Sequence, residues 1–259
     1  MNLEFGDGLY LTSDYGANPL TKDDFEKVLE HNKDSIGYKW MIKTNEYYNV
    51  KRNPLLEENN ACILQFFSTT LGSSVGIAES TKQSSIGEII PSPNYNCNSI
   101  GETKILKKIR NKKIIEPPFT DQLSWCSAFA NYIMISSGFK GSKPFKYIWA
   151  DEKSKLRIES QPSSKALTWL NWGVKLKNPL FGAIAVFDRS DSTDQTLRHV
   201  GFYCGTHKEK GSLLIMGGNQ HDSTACAQFY KKKNFIEFRW PSELEMPEGA
   251  SNEKIIITV

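Results

Sequence analysis

The stretch Ser124–Met134, SWCSAFANYIM, places a cysteine at the start of an apolar segment and decides the fold class. Apolar side chains fall on nearly every side of a helix drawn through residues 125–137, which predicts a buried helix rather than an amphipathic one. Gly138 predicts the helix end, because glycine readily adopts the left-handed conformation there. The sequence therefore predicts a buried helix with Cys126 in its first turn.

The segments that follow predict a short helix and then a sheet. Ser164–Trp172 is the short helix, and its tryptophans Trp169 and Trp172 share one face, which indicates core packing. The predicted strands are Gly182–Phe187, His199–Cys204, Ser212–Met216 and Phe235–Trp240. Short spacers favour antiparallel pairing. Helices followed by such a sheet predict an α+β domain over residues 111–259.

Residues 1–110 are polar and irregular, and we interpret them as an N-terminal extension or small domain of unknown role. Within them, Thr21 predicts the N-cap of one helix that ends near residue 29. Residues 61–67, ACILQFF, predict a short strand or a buried turn, and residues 71–100 predict a loop. The charged insertion at residues 143–161 predicts a surface loop, with a lid as the alternative.

Composition excludes several classes of protein. The chain has 259 residues, 39% of them hydrophobic, and a net charge of +3. No apolar run is long enough for a membrane helix. The start MNLEFGDGLY lacks the basic and apolar regions of a signal peptide, which predicts synthesis in the cytoplasm without one. The basic run KILKKIRNKK indicates a solvated face; nucleic-acid binding, the alternative, would be salt-dependent.

The five cysteines argue against a metal knuckle or a disulfide framework, because their number is odd and no C-x-x-C pair occurs. Free thiols would suit a reducing cytoplasm. Cys126 is the candidate nucleophile among the five, since N–H groups in the first turn of a helix stabilise a thiolate and an oxyanion. The alternative is that Cys126 is a small buried hydrophobe. Cys204 lies on a predicted core face and should be inert.

A cysteine nucleophile needs a base, and His199 is the histidine best placed for that role. Strand alternation puts it on the face opposite Val200, Phe202 and Cys204, which form the predicted core face. The alternative is an ordinary histidine at a strand end. The other three have weaker claims: His31 lies at a helix end, His207 in a predicted solvent-exposed turn, and His221 after a strand.

Residues Gly217-Gly218-Asn219-Gln220 end the next strand and supply a polar group that could orient the imidazole of His199. Asn219 and Gln220 both remain possible from the pattern alone, because a bulge at the two glycines would reverse the alternation.

Taken in order, WCSAF, ALTWLNWG, GAIAVF, HVGFY, LLIMGGNQ and RWP resemble the CHAP-type and NlpC-like cell-wall hydrolases over about residues 117–241. The resemblance implies a papain-like cysteine hydrolase fold. It also implies Cys126 as nucleophile, His199 as base and Asn219 as orienting group, with no metal or cofactor. Gln122, Trp125 and Gln220 are the expected oxyanion or substrate contacts.

Two further features bear on the site. Asp121 lies next to Gln122 and could contribute to the same contacts, although helix capping by Asp121 or Ser124 is the alternative. Arg198 stands where such hydrolases commonly have glycine, so we expect it to narrow the groove or to bind an acidic substrate group.

The function implied by the resemblance is cleavage of an amide bond in the peptide stem of peptidoglycan by an antibacterial effector, similar to type VI secretion amidases. Such an effector would act in the periplasm of a target cell. It would have a cognate immunity protein as inhibitor and a secretion-apparatus partner for its N-terminal part. The alternatives are a phage-type endolysin, a papain-like protease acting on proteins, and a non-catalytic binding module. No membrane or nucleic-acid partner is expected.

Overall fold

The structure is a computed structural model, and it describes eleven stretches of the chain. These are residues 4–5, 18–52, 60–70, 124–142, 144–150, 156–162, 165–188, 198–207, 210–221, 224–245 and 256–258. Loop 71–100, the basic run at residues 104–113, Asp121, Gln122 and the domain boundary expected near residue 110 lie outside them.

Four helices and ten strands form in these stretches. The helices are α1 (Lys22–His31), α2 (Tyr38–Asn45), α3 (Ala61–Phe66) and α4 (Cys126–Ser136). The strands are β1 (Glu4–Phe5), β2 (Pro144–Ala150), β3 (Leu156–Pro162), β4 (Val174–Leu176), β5 (Ile184–Asp188), β6 (Arg198–His207), β7 (Leu213–Gln220), β8 (Thr224–Tyr230), β9 (Phe235–Trp240) and β10 (Ile256–Thr258). Three 3₁₀ turns cover Phe67–Thr69, Ala166–Asn171 and Lys232–Asn234.

The main sheet has eight strands, and its antiparallel part runs in the order β4-β9-β5-β6-β7-β8. Strand β10 pairs in parallel with the end of β6 and carries β1 on its other side. Helices packed with a mostly antiparallel sheet make an α+β architecture, as the sequence predicted. The four predicted strands are confirmed as β5, β6, β7 and β9, and the sequence analysis missed the other four strands of this sheet, β1, β4, β8 and β10.

Helix α4 forms as the apolar pattern predicts. Its first nine residues, Cys126–Met134, are all buried, so α4 lies inside the fold. Gly138 follows it at φ +88°, and the N–H of Phe139 donates to the carbonyl of Met134 at 3.0 Å. This left-handed cap ends the helix where the sequence predicted.

The described part of the N-terminal region shares the core of the sheet. Thr21 caps α1 by accepting a hydrogen bond from the Asp24 N–H at 3.1 Å, as predicted. From α2, Trp40 donates through Nε1 to the carbonyl of Gly182 at 2.8 Å. The hydroxyls of Tyr47 and Tyr132 lie 2.9 Å apart and join the end of α2 to α4.

The same region covers the outer edge of β8. The N–H of Leu20 donates to the carbonyl of Ala227 at 2.8 Å. Asn49 donates to the carbonyl of Ala225, and Ala225 donates to the carbonyl of Val50, each at 2.8 Å. Because these bonds use backbone groups of an edge strand, the part of the edge at Ala225 and Ala227 is not open to pairing with another chain.

Three expectations are wrong. Residues 61–66 form helix α3, not a strand or turn. A short apolar run suits a buried helix as well as a strand, so the pattern could not distinguish them. The insertion at 143–161 is not a loop: β2 and β3 pair as a separate antiparallel hairpin. Cys62 is disulfide-bonded, with a partner outside the described residues, so the chain does not hold all its cysteines as free thiols.

None of the helices in the described stretches is long and apolar enough to cross a membrane.

Candidate functional site

Cys126 is the first residue of α4, as the opening stretch predicted. Its side chain is 3% exposed, and Trp125 precedes it as the N-cap residue without a side-chain capping bond. The indole of Trp125 is buried, and its Nε1 has no hydrogen-bond partner among the described residues. A thiol in the first turn of a helix is near backbone N–H groups that have no intrahelical acceptor, and such groups can stabilise negative charge.

A buried polar network fixes the start of α4. Ser127, the residue after Cys126, accepts through its hydroxyl from Trp169 Nε1 at 3.0 Å. One turn further, Asn131 donates to the Ser127 carbonyl at 2.9 Å and accepts from the N–H of Ser142 at 2.7 Å. Trp169 is fully buried and meets Trp172 edge-on, so the prediction that both are core residues is confirmed.

Strand β7 touches the same helix turn through a glycine. A Cβ built on Gly218 would lie 2.6 Å from Cε3 of the Trp125 indole and 2.7 Å from Cβ of Phe129. Only a residue without a side chain permits this approach. The close contact brings the end of β7 against the turn of α4 that carries Cys126.

His199 lies at the beginning of β6 and is 3% exposed. Its Nε2 lies 2.9 Å from Oε1 of Gln220, the last residue of β7. The two predicted site residues that the structure brings together are therefore His199 and Gln220. Asn219, which the resemblance implied as the orienting group, is half-buried at φ +56° beside them.

A β-bulge, which the two glycines made possible, explains why Gln220 and not Asn219 contacts His199. Gly217 is paired with Cys226 while Gln220 is paired with Thr224, so β7 has one extra residue between these two pairs. The extra residue moves Gln220 to the sheet face of Gly217, and a Cβ on Gly217 would lie 3.2 Å from the Gln220 amide.

The amide of Gln220 can be oriented in one way only. Its nitrogen faces the carbonyl oxygens of Ile215, at 3.1 Å, and of Cys226. Two carbonyls require a donor, so the amide oxygen must face His199, and His199 Nε2 must carry the proton in that bond. In the neutral ring, Nδ1 then holds the lone pair that can accept a proton.

Cys126 and His199 approach the end of β7 from different sides of the sheet. The Phe129 ring on α4 packs edge-on against Phe202 of β6 at 6.4 Å between centroids. Alternation puts His199, three residues before Phe202, on the opposite face. Transfer of a proton between the two side chains thus requires that they meet at the open end of the sheet, where β6 begins and β7 ends.

Arg198 precedes His199 and is ion-paired, with its Nη1 2.7 Å from Oδ1 of Asp188 on the neighbouring strand. Its side chain is 18% exposed. The pair joins the start of β6 to the end of β5. The two roles expected for Arg198, narrowing the groove or binding an acidic substrate group, stay predictions.

The remaining three histidines lie at other points of the described fold. His207 is 3% exposed at the far end of β6 and accepts at Nδ1 from the Lys210 N–H, so the prediction that it is exposed to solvent is wrong. His31 lies in the last turn of α1, as predicted, and His221 is exposed just after β7.

Two other described thiols are unsuited to nucleophilic attack. Burial raises the pKa of Cys204 far above its ordinary value. Burial also raises the pKa of Cys226 to about 12, although a hydrogen bond from Gln220 partly opposes this. A thiol that stays protonated at neutral pH is a poor nucleophile. Chemical labelling of the described free thiols should therefore distinguish Cys126 from the other two.

In the described part of the chain, no group of three or more histidine, cysteine, aspartate or glutamate side chains is arranged to hold a metal ion. No family model, curated protein or solved structure matches the chain.

Proposed function

We propose that this chain is a papain-like cysteine hydrolase that cleaves an amide bond in the peptide stem of peptidoglycan. The observation that carries the proposal is the His199–Gln220 pair at the end of β7. Gly218 of the same strand contacts the turn of α4 that bears Cys126. A thiol at a helix start, a histidine of fixed tautomer and an amide that fixes it are the three parts that cysteine hydrolases use. The substrate class is supported by the sequence resemblance.

Each proposed step has a group to perform it. His199 accepts the thiol proton at Nδ1, and the Cys126 thiolate attacks the carbonyl carbon of the substrate amide. First-turn N–H groups of α4 hold the oxyanion. His199 returns the proton to the amine as the C–N bond breaks. It then takes a proton from water, which hydrolyses the thioester to a carboxylic acid and restores the thiol.

The disulfide at Cys62 supports action outside a reducing cytoplasm, because disulfides persist in oxidising compartments such as the bacterial periplasm. We therefore propose an antibacterial effector that meets peptidoglycan in the periplasm of a target cell. Its producer would hold a cognate inhibitor that covers Cys126, and a secretion apparatus would engage the N-terminal part. These partners rest on the resemblance, and the disulfide bears only on the compartment.

The test is digestion of purified peptidoglycan by the wild type, by Cys126→Ala and by Cys204→Ala, with the fragments identified by mass spectrometry. We expect fragments with the wild type and with Cys204→Ala, which removes a buried thiol elsewhere, and none with Cys126→Ala. The fragment masses identify the cleaved bond. Equal digestion by Cys126→Ala would refute the assigned nucleophile.

A parallel digestion of denatured casein separates the substrate classes. Cleavage of casein but not of peptidoglycan, lost in Cys126→Ala, would favour the papain-like protease. The non-catalytic module would be favoured by two results together. The wild type would cleave neither peptidoglycan nor casein, and its Cys126 would react with iodoacetamide no faster than free cysteine does.

A further inference from the structure

Tyr230 ends β8, and its ring stacks on the imidazole of His199. The ring centroids are 5.2 Å apart and the planes differ by 11°. Tyr230 also packs against Phe187 at 4.9 Å, and Phe187 is the residue paired with His199 on β5. The Tyr230 ring therefore contacts side chains of both β5 and β6 where His199 and Phe187 are paired.

The stacking supplies a restraint that the hydrogen bond from His199 to Gln220 does not. A hydrogen bond at Nε2 fixes the direction of one ring edge but permits the imidazole to rotate about the N···O axis. A parallel ring at stacking distance removes that rotation, because tilting the imidazole would break the contact. With edge and plane both fixed, the direction of Nδ1 is fixed as well.

The same contact favours the charged state of the ring during turnover. When His199 holds the thiol proton it is a cation, and the face of an aromatic ring attracts a cation whose centre lies within about 6 Å. Tyr230 thus contacts the ring when it is neutral and when it is protonated.

We propose that Tyr230 is a positioning residue that holds His199 so that Nδ1 points toward the reacting thiol; the proposal rests on the hydrolase function above. The discriminating set is Tyr230→Leu, which removes the flat ring, and Tyr230→Phe, which keeps it. Tyr230→Met keeps bulk without a ring and serves if the leucine variant does not fold. Phe229→Leu is the matched control, because Phe229 is the neighbouring residue and contacts His207 instead.

Two measurements are made on the full chain. The first is the second-order rate of Cys126 with iodoacetamide, which we expect Tyr230→Leu to lower about twofold to tenfold, the equivalent of one aromatic pair. The second is the long-range ¹H–¹⁵N spectrum of the histidine rings. For His199 we expect the Nε2–H tautomer in every variant, because Gln220 is kept. We expect its ring signals to stay sharp in the wild type, Tyr230→Phe and Phe229→Leu and to broaden in Tyr230→Leu, where the ring is free to rotate about the bond to Gln220.

The outcomes separate this proposal from the proposed function. His199 ring signals as sharp as in the wild type and a wild-type alkylation rate, in both Tyr230→Leu and Tyr230→Met, would overturn the positioning role even if the enzyme digests peptidoglycan. An equal loss of the Cys126 alkylation rate in Tyr230→Phe and Tyr230→Leu would also overturn it, because the stacked ring would then not be the cause. Broadening of the His199 ring signals confined to the ringless variants supports it, whether or not peptidoglycan is the substrate.

Discussion

Replacing Gln220 by methionine tests whether its amide fixes the tautomer of His199. Methionine has a similar length and no donor or acceptor of comparable strength, so the shape is kept and three hydrogen bonds are lost. The buried His199 Nε2–H loses its acceptor, and the carbonyls of Ile215 and Cys226 lose a donor. Asn219→Gly is the matched control, since glycine tolerates the observed φ of +56° and the side chain removed is the neighbouring amide.

The magnitude follows from the groups left unpaired. An unsatisfied buried donor costs about 1–3 kcal/mol, and a domain of this size loses about 2–4 °C of melting temperature per kcal/mol. We therefore expect a melting temperature several degrees lower in Gln220→Met. Loss of the tautomer should lower kcat/KM by about 10²- to 10⁴-fold, the range assigned to a positioned general base. Asn219→Gly should retain most of the wild-type melting temperature and most of the wild-type kcat/KM.

Three assays test this prediction: thermal unfolding, the rate of Cys126 with iodoacetamide, and peptidoglycan digestion. The reasoning is refuted if Asn219→Gly loses activity and Gln220→Met keeps it, because Asn219 would then be the orienting group, as the resemblance implied. It is also refuted if both variants are as active as the wild type. Similar unfolding temperatures with unequal activities would separate orientation from stability.

Three further predictions concern the surroundings of the site. Gly218→Ala should destabilise the fold by about 1–3 kcal/mol, because its methyl group must displace Trp125; urea unfolding measures this, and an unchanged midpoint would contradict the close contact. Trp169→Phe should slow alkylation of Cys126, since the Ser127 hydroxyl loses its donor at the start of α4; an unchanged rate would show that this bond does not position the thiol. Glu237→Gln should flatten the dependence of stability on pH below about pH 4.3, the ordinary glutamate value, and urea unfolding at pH 7 and pH 3.5 would detect it; equal losses in the two proteins would contradict it.

The sign of the Glu237 prediction follows from its contacts. Burial alone would raise the pKa of Glu237, but hydrogen bonds and charge from Lys175, at 3.0 Å, and from Arg239, at 2.6 Å, outweigh it and lower the pKa. A carboxylate with a lowered pKa in the folded state stabilises the fold above its unfolded pKa. That stability is lost as the pH falls through the folded value. The glutamine variant has no such proton to gain.

The local parts of the fold could be predicted because they depend on neighbouring residues. The cap at Thr21, the buried pattern of α4 and the left-handed Gly138 are each decided within a few positions of the chain. Strand β8 was missed because its residues, TACAQFY, are small or polar at one end and show no alternation. Its burial comes from β7 and from the N-terminal residues that cover its edge, and neither is visible in a short stretch.

The choice between Asn219 and Gln220 shows how little of a site a motif decides. Both are amides at the same strand end, and only the register against β8 determines which one faces His199. That register is set by pairs such as Gly217 with Cys226 and Gln220 with Thr224, which belong to a strand that the pattern did not predict. The position of Tyr230 depends on the same strand. Identifying β8 thus changes the expected hydrogen-bond partner of His199 from Asn219 to Gln220 and adds the ring that stacks on its imidazole.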